Sequence, residues 1–226
     1  MFSRKALTSL SKILASLSLM VLLWGTAISL TSLQTWTYQA YLPALAAQDP
    51  QDLGEDRILE NYCRMINYGL NPGQVGQLEF QSLPMSPQGR QHFAEVRAVF
   101  QAILKLTLAS LPLCLLTLTY LHQMKIHSPL LWGPLGALLI PALLALLMLV
   151  DFSRAFTLFH QLVFRNDYWI FDPTQDPIIN YLPQEFFQTM AFLILLVLLL
   201  LCLLSIALYQ LLKSKGDKQK RTEEKK

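Results

Sequence analysis

Residues 192–212 read FLILLVLLLLCLLSIALYQLL, an apolar run with no charged residue. Run length separates a buried core helix from a membrane span, and at about 1.5 Å per residue this one crosses a hydrocarbon core of roughly 30 Å. Three further runs of similar length stand ahead of it. Residues 10–30 (LSKILASLSLMVLLWGTAISL) carry one charge, Lys12; the others extend from about Val99 to Tyr120 and from about Leu130 to Val150. No soluble fold needs four such runs. The composition agrees: 15% of the 226 residues are charged, against about 25% in an average soluble domain.

The expected fold is an all-α integral membrane protein, with four transmembrane helices and a small, mainly helical extracytoplasmic cap. The expected segments are a cytoplasmic N-terminus (1–9), first span (10–31), extracytoplasmic segment (32–98), second span (99–121), cytoplasmic loop (122–128), third span (129–150), second extracytoplasmic segment (151–186), fourth span (187–212) and a basic cytoplasmic tail (213–226).

Orientation follows from the basic residues, which favour the cytoplasmic side. Arg4, Lys5, Lys12, Lys125 and seven residues of the tail, Lys213 to Lys226, make eleven of the eighteen. Six arginines (57, 64, 90, 97, 154 and 165) fall in the opposite segments with twelve acidic residues, and Lys105 falls within the second span. Both termini are therefore placed in the cytoplasm. Ala44-Leu45-Ala46 resembles a signal-peptide cleavage site, but the polar stretch 31–40 separates it from a run too long for a signal core, which predicts a retained anchor. The tail KSKGDKQKRTEEKK is read as a stop-transfer segment near anionic headgroups rather than a nucleic-acid patch.

The polar chemistry lies in the two outer segments. Leu53, Leu59, Tyr62, Ile66 and Leu70 recur near helical spacing and predict a helix over 52–70, stopped by Asn71-Pro72-Gly73. Ser86-Pro87 suits a helix start, and that helix carries His92, Glu95 and Val99 into the second span. Phe152, Phe156, Phe159 and Val163 form an apolar stripe, predicting that the third helix extends beyond the lipid core. A turn-rich loop follows (Asn166, Asp167, Trp169, Asp172, Pro173, Asp176, Pro177), and Leu182-Pro183-Gln184-Glu185 enters the fourth helix.

Of four histidines, His122 and His127 fall in the cytoplasmic loop. His92 and His160 fall on the outer side, on helices that meet spans two and three, where they are placed to converge at headgroup level. The chain has no HExxH and no clustered Cys/His spacing for a metal, no nucleophile-elbow glycine motif and no glycine-rich phosphate loop. Cys114 and Cys202 lie in spans as small apolar groups. Cys63 is alone in an outer segment beside Arg64, without a disulfide partner or an evident base. What remains is acid–base chemistry by histidine near the lipid surface, with no cofactor.

FHQLVFRNDYWIFDPTQDPIINYLPQEFF (Phe159–Phe187), ILENYCRMINYGL (Ile58–Leu70) and LPMSPQGRQHFAEVRAVF (Leu83–Phe100) resemble a family of small four-span bacterial membrane proteins, the lipoprotein intramolecular transacylases (Lit). The most specific element is FH-x3-F followed by N-D-x-W and an Asp-Pro-rich loop. The resemblance implies a bacterial plasma-membrane enzyme acting on a diacylglyceryl lipoprotein, with membrane lipid and no nucleic acid as its other contact. It moves the sn-2 acyl chain from glycerol to the α-amino group of the N-terminal cysteine, giving lyso-form lipoprotein.

Amine and ester belong to one molecule, so holding them together supplies a large effective molarity, worth roughly 7–11 kcal/mol at best, and no covalent nucleophile is required. A histidine of ordinary pKa near 6.5 serves as base and then acid. His160 is assigned as the principal acid–base residue and His92 as the second. Asp167 or Glu95 is assigned to orient an imidazole, Arg165 or Asn166 to stabilise the oxyanion or bind a glycerol oxygen, and Trp169 to anchor the loop at the interface. Tyr62, Tyr168 and Tyr181 are undivided candidates for an assisting hydroxyl. Pro112, Pro134 and Pro141 either open lateral acyl grooves or accompany ordinary helix packing, and Lys105 snorkels or meets lipid phosphate. The competing class is a non-catalytic membrane scaffold or lipid- or partner-binding sensor. A transporter fits less well, because no acidic residue lies mid-membrane.

Overall fold

The computed structural model describes residues 3–74 and 76–223; Glu224, Lys225 and Lys226 of the basic tail, and Met1 and Phe2, lie outside the described residues. Eight α-helices appear there: α1 Arg4–Leu33, α2 Trp36–Gln39, α3 Leu42–Ala47, α4 Gly54–Leu70, α5 Pro87–Gln123, α6 Pro129–Val150, α7 Phe152–Val163 and α8 Gln184–Glu223. A 3-10 turn covers Pro177–Tyr181. Helices α1, α5, α6 and α8 are long and apolar enough to cross a bilayer, and the protein is membrane-integral. Their leucines are turned outward in number, with Leu116 71%, Leu139 67% and Leu204 69% exposed, a surface that only lipid solvates at no cost.

The chain forms two compact units. The first takes residues up to Ile28, Leu104–Leu143 and from Ile194 onward. Its core is Leu23, Ala27, Ala137, Leu198 and Cys202. Two prolines inside α6 explain much of its packing. A proline lacks the N–H that would bond the carbonyl four residues back, and in lipid that carbonyl must find another donor. Pro134 leaves the carbonyl of Leu130, which accepts from Ser205 Oγ at 3.0 Å. Pro141 leaves the carbonyl of Ala137, which accepts from Trp24 Nε1 at 2.7 Å. Helix α6 therefore continues unbroken through both prolines. These two belong to helix packing rather than to an open groove. In the same unit, His122 and His127 face each other at 3.0 Å across the α5–α6 connection.

The second unit holds Ser29–Ile103 and Leu144–Leu193. At its centre Tyr38 stacks on Tyr62 with ring centroids 3.8 Å apart, and Phe186 meets both edge-on. Tyr38 Oη donates to the Tyr181 carbonyl at 2.9 Å, and Tyr181 Oη donates to Asp49. The buried face of α4 is not the predicted stripe alone: Ile58, Asn61, Tyr62, Tyr68 and Gly69 are buried, while Leu59 and Ile66 are only partly so. The face turns because Asn61 finds a partner inside, donating to Ser82 Oγ at 2.8 Å, which removes the cost of burying an amide. Arg97 on α5 donates to the carbonyls of Tyr68 and Gln74, joining the end of α4 to α5.

The third apolar helix does not run on as the sequence suggested. Helix α6 ends at Val150, Asp151 turns extended (φ −156°, ψ 96°), and α7 starts afresh with Asp151 as its cap, accepting from Arg154 N at 2.9 Å. A carboxylate that satisfies a free helix N–H favours a new start over a continued turn. Helix α7 exposes Phe159 (52%) and Leu162 (84%) and buries His160, the pattern of a helix lying in an interface.

Trp24 and Pro141 should therefore be coupled energetically. Trp24→Phe should lower the stability of detergent-solubilised protein by about 1 kcal/mol, the net worth of one hydrogen bond. In a Pro141→Ala background, where the helix supplies its own N–H, the same change should cost much less. Equal losses in both backgrounds, read by thermal melts, would contradict it.

Candidate active site

Helix α5 brings His92 and α7 brings His160 into one cluster within the second unit. The ring centroids lie 6.0 Å apart. Both are buried, at 6% and 8% exposure. The surroundings are aromatic: Phe156 is 4.1 Å and Trp169 4.7 Å from His160, Phe164 lies 4.9 Å from His92 and 5.6 Å from His160, and Phe171 is 5.5 Å from His92. Ring faces and edges supply little solvation to a cation that water has left. Desolvation, then the neighbouring His160, push His92 down to about 4 despite the opposing pull of Glu95. Burial likewise lowers His160, against a smaller opposing contribution from the Phe156 carbonyl. Near pH 7 both imidazoles are neutral bases.

The tautomer of His160 follows from its partner. Nδ1 lies 2.8 Å from the Phe156 carbonyl oxygen, one turn back on α7. A carbonyl only accepts, so Nδ1 carries the proton and Nε2 keeps its lone pair. The orienting group is thus a backbone carbonyl; neither Glu95 nor Asp167 takes that place. His92 differs, since its buried Nδ1 has no hydrogen-bond partner, and neither has the buried Nε1 of Trp169. Buried polar atoms are rarely left so, which marks these two as candidate ligand contacts.

The other predicted residues divide by place. Glu95 accepts from Asn166 Nδ2 with both oxygens, at 3.0 and 3.1 Å, and from Gln91 Nε2 at 3.0 Å. Asn166 Oδ1 in turn accepts from Tyr168 N at 3.0 Å. Asn166 and Glu95 therefore brace the loop after α7. Arg165, Asp167 and Tyr168 are exposed on that loop. Tyr62 lies in the Tyr38 stack, and three phenyl rings (Phe186, Phe187, Phe156) lead from it to His160. Its hydroxyl is buried and without a partner, with burial first and Cys63 second raising it to about 12. Tyr181 is committed to Asp49. On α4, desolvation raises the Cys63 thiol and Arg64 is engaged by Glu60 at 3.0 Å, so Cys63 is not an activated nucleophile. Among the described residues no group of three or more His, Cys, Asp or Glu side chains is arranged to hold a metal ion.

Sequence reasoning passed over Phe156, Phe164 and Phe171 as site residues, along with Ser86 and Asp176. Asp176 is buried at 4% exposure. Its Oδ1 accepts from Ser86 N at 2.7 Å and its Oδ2 from Ser86 Oγ at 2.6 Å. The available signals were the Ser86-Pro87 helix start and the acidic residue ahead of Pro177, ninety positions apart and unconnected without a fold.

Comparison with known proteins gives a consistent answer. The profile of the family described as lipoprotein intramolecular transacylase Lit matches residues 13–187. The in meso structure of the membrane integral lipoprotein intramolecular transacylase Lit from Bacillus cereus is 33% identical, with a TM-score of 0.90 over 95% of this chain and 100% of that one. Structures of two variants of that protein, with one histidine changed to arginine or to alanine, are also 33% identical, each with a TM-score of 0.83 over 94% of this chain and 95% or 96% of theirs. No curated protein sequence matches the chain. With most of its length matched by the family profile and nearly all of it by a solved member, this chain belongs to the lipoprotein intramolecular transacylase family.

Proposed function

We propose that this protein is an intramolecular acyltransferase of lipoprotein maturation, with His160 and His92 as its acid–base pair. Its substrate is a diacylglyceryl lipoprotein whose N-terminal cysteine has a free α-amino group. The amine nitrogen attacks the sn-2 ester carbonyl carbon, and the collapsing tetrahedral intermediate breaks the bond to the glycerol oxygen. The products are an amide at the cysteine and a free glycerol hydroxyl within the same molecule, so neither water nor a second substrate is consumed.

The single observation that carries this reading is the His160 geometry: Nδ1 is held by the Phe156 carbonyl at 2.8 Å, which leaves the Nε2 lone pair free on a ring buried among aromatic side chains. Nε2 takes the proton from the attacking nitrogen and returns it to the departing alkoxide. The unpartnered Nε1–H of Trp169 is the donor best suited to the developing oxyanion, where a fixed dipole in a water-poor site acts most strongly. Trp169 would then touch substrate rather than merely anchor the loop. His92 completes the pair by polarising the ester or sharing the proton. Asn166 and Glu95 brace the wall of the site, and Arg165, Asp167 and Tyr168 line its exposed rim, where a glycerol oxygen or peptide backbone passes.

The same reading sets the topology. Lys125 on the α5–α6 connection and the basic residues toward both ends of the chain support cytoplasmic termini, with the histidines on the outer face of the bacterial plasma membrane. Lipoproteins present their lipidated cysteine there, and α7 lies at headgroup depth. No cofactor enters the chemistry.

Mass spectrometry of lipoprotein N-termini tests the function in a host that makes diacylglyceryl lipoproteins and lacks other N-acylation. Expression should leave lipopeptide mass unchanged while fragmentation shows one chain moved to the amine, and His160→Ala should abolish the shift. Unchanged fragmentation with folded wild-type protein, or full activity of His160→Ala, would overturn it.

Burial of a neutral His92 also has a pH signature. Its folded pKa of about 4 lies below the ordinary 6.5, so as pH falls through that window the unfolded chain binds a proton that the folded one refuses. Stability is complete above about 6.5 and lost toward 4, by about 3 kcal/mol when fully expressed. The melting temperature should drop between pH 7 and 4.5, and His92→Gln should flatten that drop. An identical drop in the variant would contradict a neutral, buried His92.

A further inference from the structure

The loop of residues 164–176 carries three of the rings that cover the histidines: Phe164 against both, Trp169 on His160 and Phe171 on His92. Its own backbone bonds are local turns, Ile170 N to the Asp167 carbonyl and Asp176 N to the Asp172 carbonyl. Such a segment does not hold three bulky rings in place by itself. Two polar tethers tie it to α5, one at each end. At its start Asn166 holds Glu95. At its end Asp176 takes the backbone N–H and the hydroxyl of Ser86, and Ser86 Oγ accepts from Gly89 N at 2.9 Å. Ser86, the residue ahead of α5, and Glu95 on it stand nine positions apart, roughly 13 Å at helical rise, with His92 between them.

The fit at Asp176 is close. A Cβ on Gly89 would lie 2.4 Å from Asp176 Oδ1 and 2.9 Å from its carboxyl carbon. The first turn of α5 therefore accommodates this carboxylate only because position 89 has no side chain.

We propose that Asp176 is a positioning residue for acyl transfer. Closed on Ser86, it holds Phe164, Trp169 and Phe171 against the two imidazoles, keeping them dry and at a fixed separation. The proposal rests on the acid–base reading of His92 and His160. The carboxylate touches neither imidazole and no substrate; it acts through the loop. An amide in its place keeps an acceptor for the Ser86 N–H but removes the carboxylate oxygen that accepts the Ser86 hydroxyl hydrogen, so a charge-assisted bond is lost and the tether loosens while the side-chain shape remains.

The test uses full-length protein reconstituted with a diacylglyceryl lipopeptide, comparing wild type, Asp176→Asn, Gly89→Ala, the double variant and His160→Ala. Asp176→Asn should lower kcat on the order of 10- to 100-fold, the scale of a small misplacement of reacting groups, with KM changed about threefold or less. Its acid limb should move upward in pH as His92 becomes wetter. The charged or titratable groups facing His92, namely His160 on α7 and Glu95 on α5, are retained in that variant, so wetting is the change that is read. Gly89→Ala should do the same by pushing the carboxylate off Ser86, and the double variant should be no slower than the worse single one. Wild-type kcat and acid limb in folded Asp176→Asn, with His160→Ala inactive, would overturn the positioning role alone. Additive losses in the double variant would also overturn it. Should Asp176→Asn fail to fold, Gly89→Ala reads the same tether from the other side. Full turnover by His160→Ala would instead overturn the acid–base reading beneath it.

Discussion

Two imidazoles whose ring centres lie 6.0 Å apart share an aromatic enclosure whose desolvation lowers the pKa of each, and this constraint governs the site. Burial disfavours the charged form of each, and a neutral imidazole is the form from which the proposed proton transfer starts. A more open enclosure would let both rings titrate near 6.5 as ordinary surface histidines do. The surrounding elements serve that enclosure. Helix α5 starts twelve residues ahead of its apolar run and carries His92 on the extension. Helix α7 breaks from α6 at Asp151 and presents His160 from a separate direction. The loop between α7 and α8 then closes over both rings.

A second constraint comes from lipid, where a backbone carbonyl without a donor is expensive. The two prolines of α6 would create such carbonyls, and the chain answers with Trp24 and Ser205 from other helices. The prolines thereby become points of helix attachment. The same accounting holds in the second unit, where Arg97 takes the carbonyl of Tyr68 in the last turn of α4 and that of Gln74 beyond it, and Asn61 is buried only with Ser82 as its partner. In both units polar groups mark where elements join, while the leucines that dominate the composition mainly face outward.

The sequence was informative wherever a pattern is local. Run length identified four apolar helices, Ser86-Pro87 the start of α5, Asn71-Pro72-Gly73 the end of α4, and proximity to a helix boundary the two outer histidines. It was silent wherever the partner lies far along the chain. The Phe156 carbonyl that orients His160 cannot be told from any other carbonyl without knowing which way the ring turns. Glu95 beside His92 in sequence suggested a carboxylate orienting an imidazole, yet its oxygens go to Asn166, seventy-one positions away. Asp176 looked like one more acidic residue in a turn-rich loop. Asp151 misled in the opposite sense: an apolar stripe on both sides hid a cap that ends one helix and starts another.

In the proposed reaction acyl transfer occurs within one lipoprotein molecule, driven by positioning and by histidine proton transfer with no acyl-enzyme. The most direct measurement is a crossover experiment. Two diacylglyceryl lipopeptides, differing in both peptide sequence and sn-2 chain mass, are mixed with the purified protein in proteoliposomes, and the amides are sequenced by fragmentation. Transfer within one molecule requires that every amide carry the chain its own glycerol brought. Amides carrying the other substrate's chain in comparable amounts would show that the acyl group leaves its molecule, and would contradict it.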